Sequence, residues 1–235
     1  MVMIVFENDF FKILREPFGE YQTNCYLAIA QDKSESLVID PGIGATNWVL
    51  ENAKNPLAIL NTHGHFDHVW SNAALQEKLP NIPLVCPFED AFMLQKDFFN
   101  TGLQESKPTI LVGANYDSVI KEFHSNVSNL GRKNQLHYGN FEIEFICYPG
   151  HTPGCSVIVL NHKNSPSQKV MFSGDFVFYR SIGRSDFPYS DSATMKASLE
   201  AFMQIKEDIL ILPGHGIETS FEQEKENIPY WLMRF

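Results

Sequence analysis

No stretch of this chain is apolar for long enough to cross a bilayer. Its longest runs, such as 57–60 and 209–212, are a few residues each, whereas a spanning helix needs roughly 20. No helical membrane segment is therefore expected. The first residues, Met1-Val2-Met3-Ile4-Val5-Phe6-Glu7, lack the basic region, long apolar stretch and small-residue cleavage site of a secretory signal, so the expected location is cytoplasmic. Cysteine is scarce: Cys25, Cys86, Cys147 and Cys155 form neither a C-x-x-C pair nor a zinc-ribbon spacing. They read as buried free thiols rather than a disulfide framework. Basic residues are few, with 18 Lys and Arg against 28 Asp and Glu and a formal charge of −10. A nucleic-acid partner is not expected, because phosphate neutralisation needs clustered cations. With no repeat, low-complexity tract or linker to divide it, the chain reads as one α/β domain over 1–235.

What is present is a set of short apolar segments separated by Gly, Pro, Asn and Asp. At 44% hydrophobic residues the chain can bury a core without covalent staples. Strands are predicted over 2–6, 12–15, 24–30, 37–40, 57–61, 82–86, 141–147, 156–160, 169–173 and 209–212, from apolar or alternating patterns bounded by turn residues. Helices are predicted over 46–54, 68–79, 89–99 and 193–206, with a short one closing the chain. Residues 87–136 carry no clear period beyond the aromatic-rich 89–99. Strands in two groups, each with helices attached, suggest two sheets packed face to face with helices outside.

The chemistry concentrates in Thr62-His63-Gly64-His65-Phe66-Asp67-His68, between a predicted buried strand and a predicted helix. In an extended segment His63, His65 and Asp67 project to one side, and the turn into the helix brings His68 toward the same space. Gly64 leaves room for close backbone approach. Imidazole with carboxylate suits zinc, iron or manganese; a polar, hydrogen-bonded loop is the alternative reading. His151 in Pro149-Gly150-His151-Thr152-Pro153-Gly154, Asp175 in Ser173-Gly174-Asp175 and His215 in Pro213-Gly214-His215-Gly216 each follow a predicted strand beside glycine. Singly, each reads as a capping or loop residue. Together with the first motif they form one convergent set.

This series, in this order along the whole chain, resembles the metallo-β-lactamase superfamily. The resemblance implies an αββα sandwich with metals at one edge. It implies that His63, His65 and His151 hold one ion, that Asp67, His68 and His215 hold a second, and that Asp175 bridges them. Two divalent ions are then the expected cofactors, zinc first, with iron or manganese as alternatives. No cysteine stands at position 175, unlike several true β-lactamases, which points to the dinuclear hydrolase branches. Asp40 in Asp40-Pro41-Gly42 matches the superfamily's Asp after a strand, either orienting a ligand histidine or simply forming the turn. Ser181-Ile182-Gly183-Arg184-Ser185-Asp186-Phe187-Pro188 looks like both small bacterial glyoxalase II-like proteins and persulfide dioxygenases, and the ending around His215 looks more like the former. By that likeness Arg184 contacts a substrate carboxylate; an ordinary surface arginine is the other reading. The helical region that binds glutathione in full-length glyoxalase II has no counterpart after His215, so glutathione specificity is not implied.

The implied activity is metal-dependent hydrolysis, foremost of a small anionic thiolester, by a hydroxide shared between two ions and with Asp67 orienting it or taking its proton. An iron-dependent persulfide dioxygenase and a lactonase-like hydrolase are the other readings.

Overall fold

The apolar segments become strands whose alternate residues are buried on opposite faces, and this decides the layering. The structure, a computed structural model, describes residues 3–32, 34–113 and 129–235. Among the described residues one sheet runs in chain order through β1 (Met3–Glu7), β2 (Phe11–Phe18), β3 (Thr23–Ala30), β4 (Glu35–Ile39), β5 (Asn55–Leu60), β6 (Leu84–Pro87) and β7 (Ile110–Val112). The second is ordered β15 (Thr219–Ser220), β14 (Leu210–Pro213), β11 (Ser165–Gly174), β10 (Ser156–His162), β9 (Phe141–Cys147), β8 (Lys133–Tyr138). A ribbon of β12 (Val177–Phe178) and β13 (Ser181–Ile182) stands beside it. Helices α1 (Thr46–Asn52), α2 (Phe66–Val69), α3 (Asn72–Lys78) and α4 (Ala91–Gln95) pack on the first sheet, and α5 (Ser192–Phe202) and α6 (Phe221–Leu232) on the second.

Period-2 alternation assigns each side chain to a layer. Along β3, Tyr26 and Ala28 enter the core between the sheets while Cys25 and Leu27 meet the helices. Along β11, Val170 and Phe172 face the other sheet and Met171 faces α5 and α6. Strands covered on both faces read as unbroken apolar runs, and fully burying one such Leu or Phe contributes about 1.5–3 kcal/mol. The expected αββα sandwich is what forms. Cys25, Cys86, Cys147 and Cys155 are free and buried, and burial pushes the Cys147 thiol up to about 12.

Differences from the sequence expectation have local causes. The helix expected over 68–79 divides into α2 and α3. At the break Ser71 donates its N–H to Pro41 O (2.9 Å) and its Oγ to Gly42 O (2.6 Å), pinning the chain to the loop after β4. The helix expected over 89–99 shrinks to a 3₁₀ turn, Phe88–Asp90, and the short α4. Strands β7 and β8 went unread in 87–136. β8 is a sheet edge whose exposed Lys133, Gln135 and His137 alternate with half-buried residues, so no strong apolar period exists. The remainder of that stretch, 114–128, lies outside the described residues, as does Val2 of the first predicted strand.

Strands β4 and β5 are parallel, and β9, β11 and β14 share one direction. The loops after these strands meet at one edge of the sandwich. There β3 is tied to the end of β14: Asn24 N donates to Gly214 O (2.8 Å) and Tyr26 Oη to Pro213 O (2.7 Å).

Candidate metal centre

Each candidate ligand stands at the end of a buried strand. His63 and His65 follow β5, His65 in extended backbone, and α2 begins at Phe66, which puts Asp67 and His68 in its first turn. His151 follows β9, Asp175 follows β11 and His215 follows β14. One ligand atom from each of His63, His65 and His151 lies within 4.8 Å of the other two, and the same holds for Asp67, His68 and His215. Asp175 stands between the groups: Oδ1 is 3.2 Å from His68 Nε2, and Oδ2 is 3.4 Å from His215 Nε2 and 3.5 Å from His151 Nε2. All seven sequence-predicted residues are thus brought together, buried except for the half-buried His215.

The imidazoles are aimed by bonds on their far nitrogens. His68 Nδ1 faces Asp40 Oδ2 (3.1 Å), His151 Nδ1 donates to Arg184 O (2.7 Å) and His215 Nδ1 to Tyr21 O (2.9 Å). His63 Nδ1 lies 3.0 Å from Thr62 Oγ1, which itself donates to Asp40 Oδ2 (2.6 Å). Such bonds fix the tautomer and turn the Nε2 lone pair toward the centre, where it can meet a cation. His63 Nε2 and His151 Nε2 are buried atoms without a hydrogen-bond partner. Orphaned buried acceptors cost about 1–3 kcal/mol each unless a cation meets them. This nitrogen and oxygen donor set fits zinc, iron or manganese. Asp40 also groups with His63 and His68, but Thr62 and His68 Nδ1 already engage its oxygens. It orients His68 from a left-handed backbone (φ 47°).

Sequence reading missed two further residues. Thr23 Oγ1 donates to Asp67 Oδ2 (2.7 Å). Asp90, fully buried, accepts from Gly64 N (3.0 Å), Thr152 Oγ1 (2.6 Å) and Gly154 N (2.6 Å). It therefore clamps the His63–His65 loop to the His151 loop. Burial pushes its carboxyl up to about 7 even though those bonds pull the other way. No motif marks either residue, and Asp90 read as part of a helix. The need for Gly64 is also explained here, since a Cβ at that position would sit 2.8 Å from Asp90 O.

The sequence model described as the metallo-beta-lactamase superfamily matches residues 18–215. The chain belongs to the metallo-beta-lactamase superfamily. Hydroxyacylglutathione hydrolase GloC of Haemophilus influenzae is 30% identical to it over 219 residues, 91% of this chain and 95% of that protein. Persulfide dioxygenase ETHE1 of Mus musculus is 26% identical over 225 residues, 92% of this chain and 74% of that one. The crystal structure of TTHA1623 in a di-iron-bound form superposes with a TM-score of 0.66 at 26% identity, covering 92% of this chain and 98% of that one. At the level this similarity reaches, the chain is a metal-dependent hydrolase of the superfamily.

In this superfamily site, protons compete with metal for the imidazoles, and the two histidine groups differ. Burial, then neighbouring histidines, pushes His63 well down and His65 down to about 3; His151 is lowered too, chiefly by burial. These three are neutral at pH 7 and have no proton to displace. Burial also pushes His68 and His215 down, but Asp175 and its neighbours outweigh it and leave both raised, His68 well above the usual range. Metal entering the Asp67/His68/His215 group must displace protons, so its affinity there rises with pH until the raised pKa values are passed. Below the raised pKa values of His68 and His215 this affinity is expected to climb by up to roughly tenfold per pH unit per proton displaced and to level off above them, with little change at the other group near neutral pH. Chelator competition with a proton-release measurement checks it; equal pH dependence at both groups would contradict it.

A cleft of about 390 Å³ opens above the candidate ligands, walled by aromatic residues and edged by Arg184. The Arg184 side chain is exposed, binds Asp186 through Nε and Nη2 (both 2.8 Å) and lies 4.2 Å over the Phe187 ring.

Proposed function

We propose that the protein hydrolyses thiolesters using two divalent ions, with His63, His65 and His151 holding one, Asp67, His68 and His215 the other, and Asp175 shared. The observation that carries this reading is Asp175 lying within 3.5 Å of His68, His151 and His215 at once. The similarity to GloC supports a thiolester as the substrate. Two ions held there supply a water acidified toward neutrality and a Lewis acid for the carbonyl. Asp67 Oδ2 accepts from Thr23 Oγ1 and lies 3.5 Å from both His68 Nε2 and His215 Nε2, so the Asp67 carboxylate, steadied by Thr23, would orient the nucleophile or take up its proton. Asp40 and Thr62 hold the imidazoles of His68 and His63 in place. A thiolate departs without a strong acid, its conjugate thiol having a pKa near ~8.5, and no Ser or Cys nucleophile is required.

The test uses protein loaded with one defined metal. About two ions per chain, one free thiol released per turnover and no oxygen uptake are expected. The segment around Arg184 and the similarity to ETHE1 favour persulfide oxidation as the second reading. Stoichiometric oxygen consumption with a persulfide, beside no thiol release from any thiolester, would replace the first reading with the second.

Arg184, paired with Asp186 and stacked on Phe187, is the one Lys or Arg among the described lining residues that an anionic substrate group could meet at the rim. Arg184→Ala is expected to leave metal content intact and to raise KM for singly anionic substrates by roughly threefold to tenfold. Loss of metal, or unchanged constants with every active substrate, would remove that role.

A further inference from the structure

We infer that the cleft selects thiolesters with an aromatic or bulky apolar acyl group on a small carrier of little charge, and disfavours carriers bearing several charges. The inference rests on thiolester hydrolysis as read above. Five aromatic side chains wall the opening. Phe66 meets Tyr21 at 5.4 Å and Phe99 at 6.4 Å between ring centroids, Phe99 and Phe187 meet the His65 ring at 5.7 and 5.9 Å, and Phe178 meets His215 at 6.0 Å. Tyr21 is 57% and Phe187 37% exposed. Aromatic surface gathered around a polar floor and left in water gains by covering an apolar group.

Charge points the same way. Among the described lining residues Arg184 is the one Lys or Arg, and Asp186 and Phe187 already engage it. A glutathione carrier brings two carboxylates and an ammonium, so at least one carboxylate finds no cation in this wall. A carrier such as N-acetylcysteamine is neutral and does not meet that cost. At about 390 Å³ the cleft is near the small end of ligand sites, roughly 300–1,000 Å³, which suits one ring beside the scissile group.

The experiment crosses two acyl groups, phenylacetyl and lactoyl, with two thiols, N-acetylcysteamine and glutathione, on the metal-loaded protein. S-phenylacetyl-N-acetylcysteamine is expected to exceed S-lactoylglutathione in kcat/KM by at least about tenfold, the range one well-placed apolar group supplies. In Phe99→Ala and Phe187→Ala the preference for phenylacetyl over lactoyl on the same thiol should fall by roughly tenfold. Binding is read independently by calorimetry with two thioethers that cannot be hydrolysed, S-benzyl-N-acetylcysteamine and S-methylglutathione, the first expected to bind more tightly. Preference for S-lactoylglutathione, tighter binding of S-methylglutathione, or an acyl preference unmoved in both variants would overturn the inference. Absence of turnover on all four thiolesters would sink the hydrolytic reading instead, and the thioether comparison would still decide the cleft's preference.

Discussion

Asp175→Ala is expected to weaken metal binding in both groups at once and to abolish turnover. The Asp175 oxygens approach histidines of both groups, His151 on one side and His68 and His215 on the other. Burial alone would raise this carboxyl, but the charges on His68 and His215 outweigh it and hold it well below the usual range. Because its folded pKa is depressed, its stabilisation is present at neutral pH and is lost only as the pH falls through that low value. At pH 7 the alanine variant therefore loses both a shared ligand and the main charge facing His68 and His215. Metal content should fall from about two ions to below about one, and the rate by at least about 10³-fold, since on the proposed reading Asp175 would hold both ions and the variant could no longer keep them together. The metal-free variant should also unfold at lower temperature than the metal-free parent. Elemental analysis, thiol release and thermal denaturation read the three effects. A variant that kept two ions would show that Asp175 is not shared.

The second large effect is expected at Asp90, whose hydrogen bonds go to Gly64, Thr152 and Gly154 and not to the candidate ligand side chains. Alanine there strips the acceptor from Gly64 N, Thr152 Oγ1 and Gly154 N. Each buried group left unsatisfied costs about 1–3 kcal/mol; the costs are not additive, and a total of about 3–5 kcal/mol is expected. The His63–His65 loop and the His151 loop would then drift relative to each other. Affinity at the His63/His65/His151 group should fall by roughly 10–100-fold, the usual consequence of losing the support behind a ligand. The Asp67/His68/His215 group should change less, because Thr23, Asp40 and Tyr21 hold it independently. Asp90→Asn keeps the volume and one acceptor oxygen but turns an amide N–H₂ toward a donor, so it should fall between parent and alanine. Denaturant unfolding of metal-free protein and chelator competition separate stability from selective metal loss. Equal weakening at both groups would mean Asp90 supports general packing and not the alignment of these two loops.

The sheets were readable from sequence because most strands carry apolar residues on both faces, as in Ala58-Ile59-Leu60 and Val170-Met171-Phe172. Edge strand β8 was not, since one covered face and a polar alternation leave little apolar signal. The candidate ligands were legible because His63, His65, His151, Asp175 and His215 each follow a strand beside glycine, and Asp67 and His68 complete the first of those motifs. Thr23 and Asp90 were not, because a hydrogen bond across 44 residues to Asp67, or across 62 and 64 residues to the His151 loop, leaves no local spacing. The Arg184 segment carried a signal for its side chain, yet part of its contribution is its backbone carbonyl, which orients His151.

The sequence by itself determined the layering and the seven ligand-type residues, because those depend on residue type and on periodicity along one strand or loop, and the order of the motifs carried the resemblance to the superfamily. The tertiary structure alone decided that Asp175 spans both groups, that Asp90 locks two loops together, and that Tyr21, Phe66, Phe99, Phe178 and Phe187 gather around the ligands. Those relations join segments far apart in the chain, and they come into being only when parallel strands of two facing sheets bring their C-terminal loops to one edge.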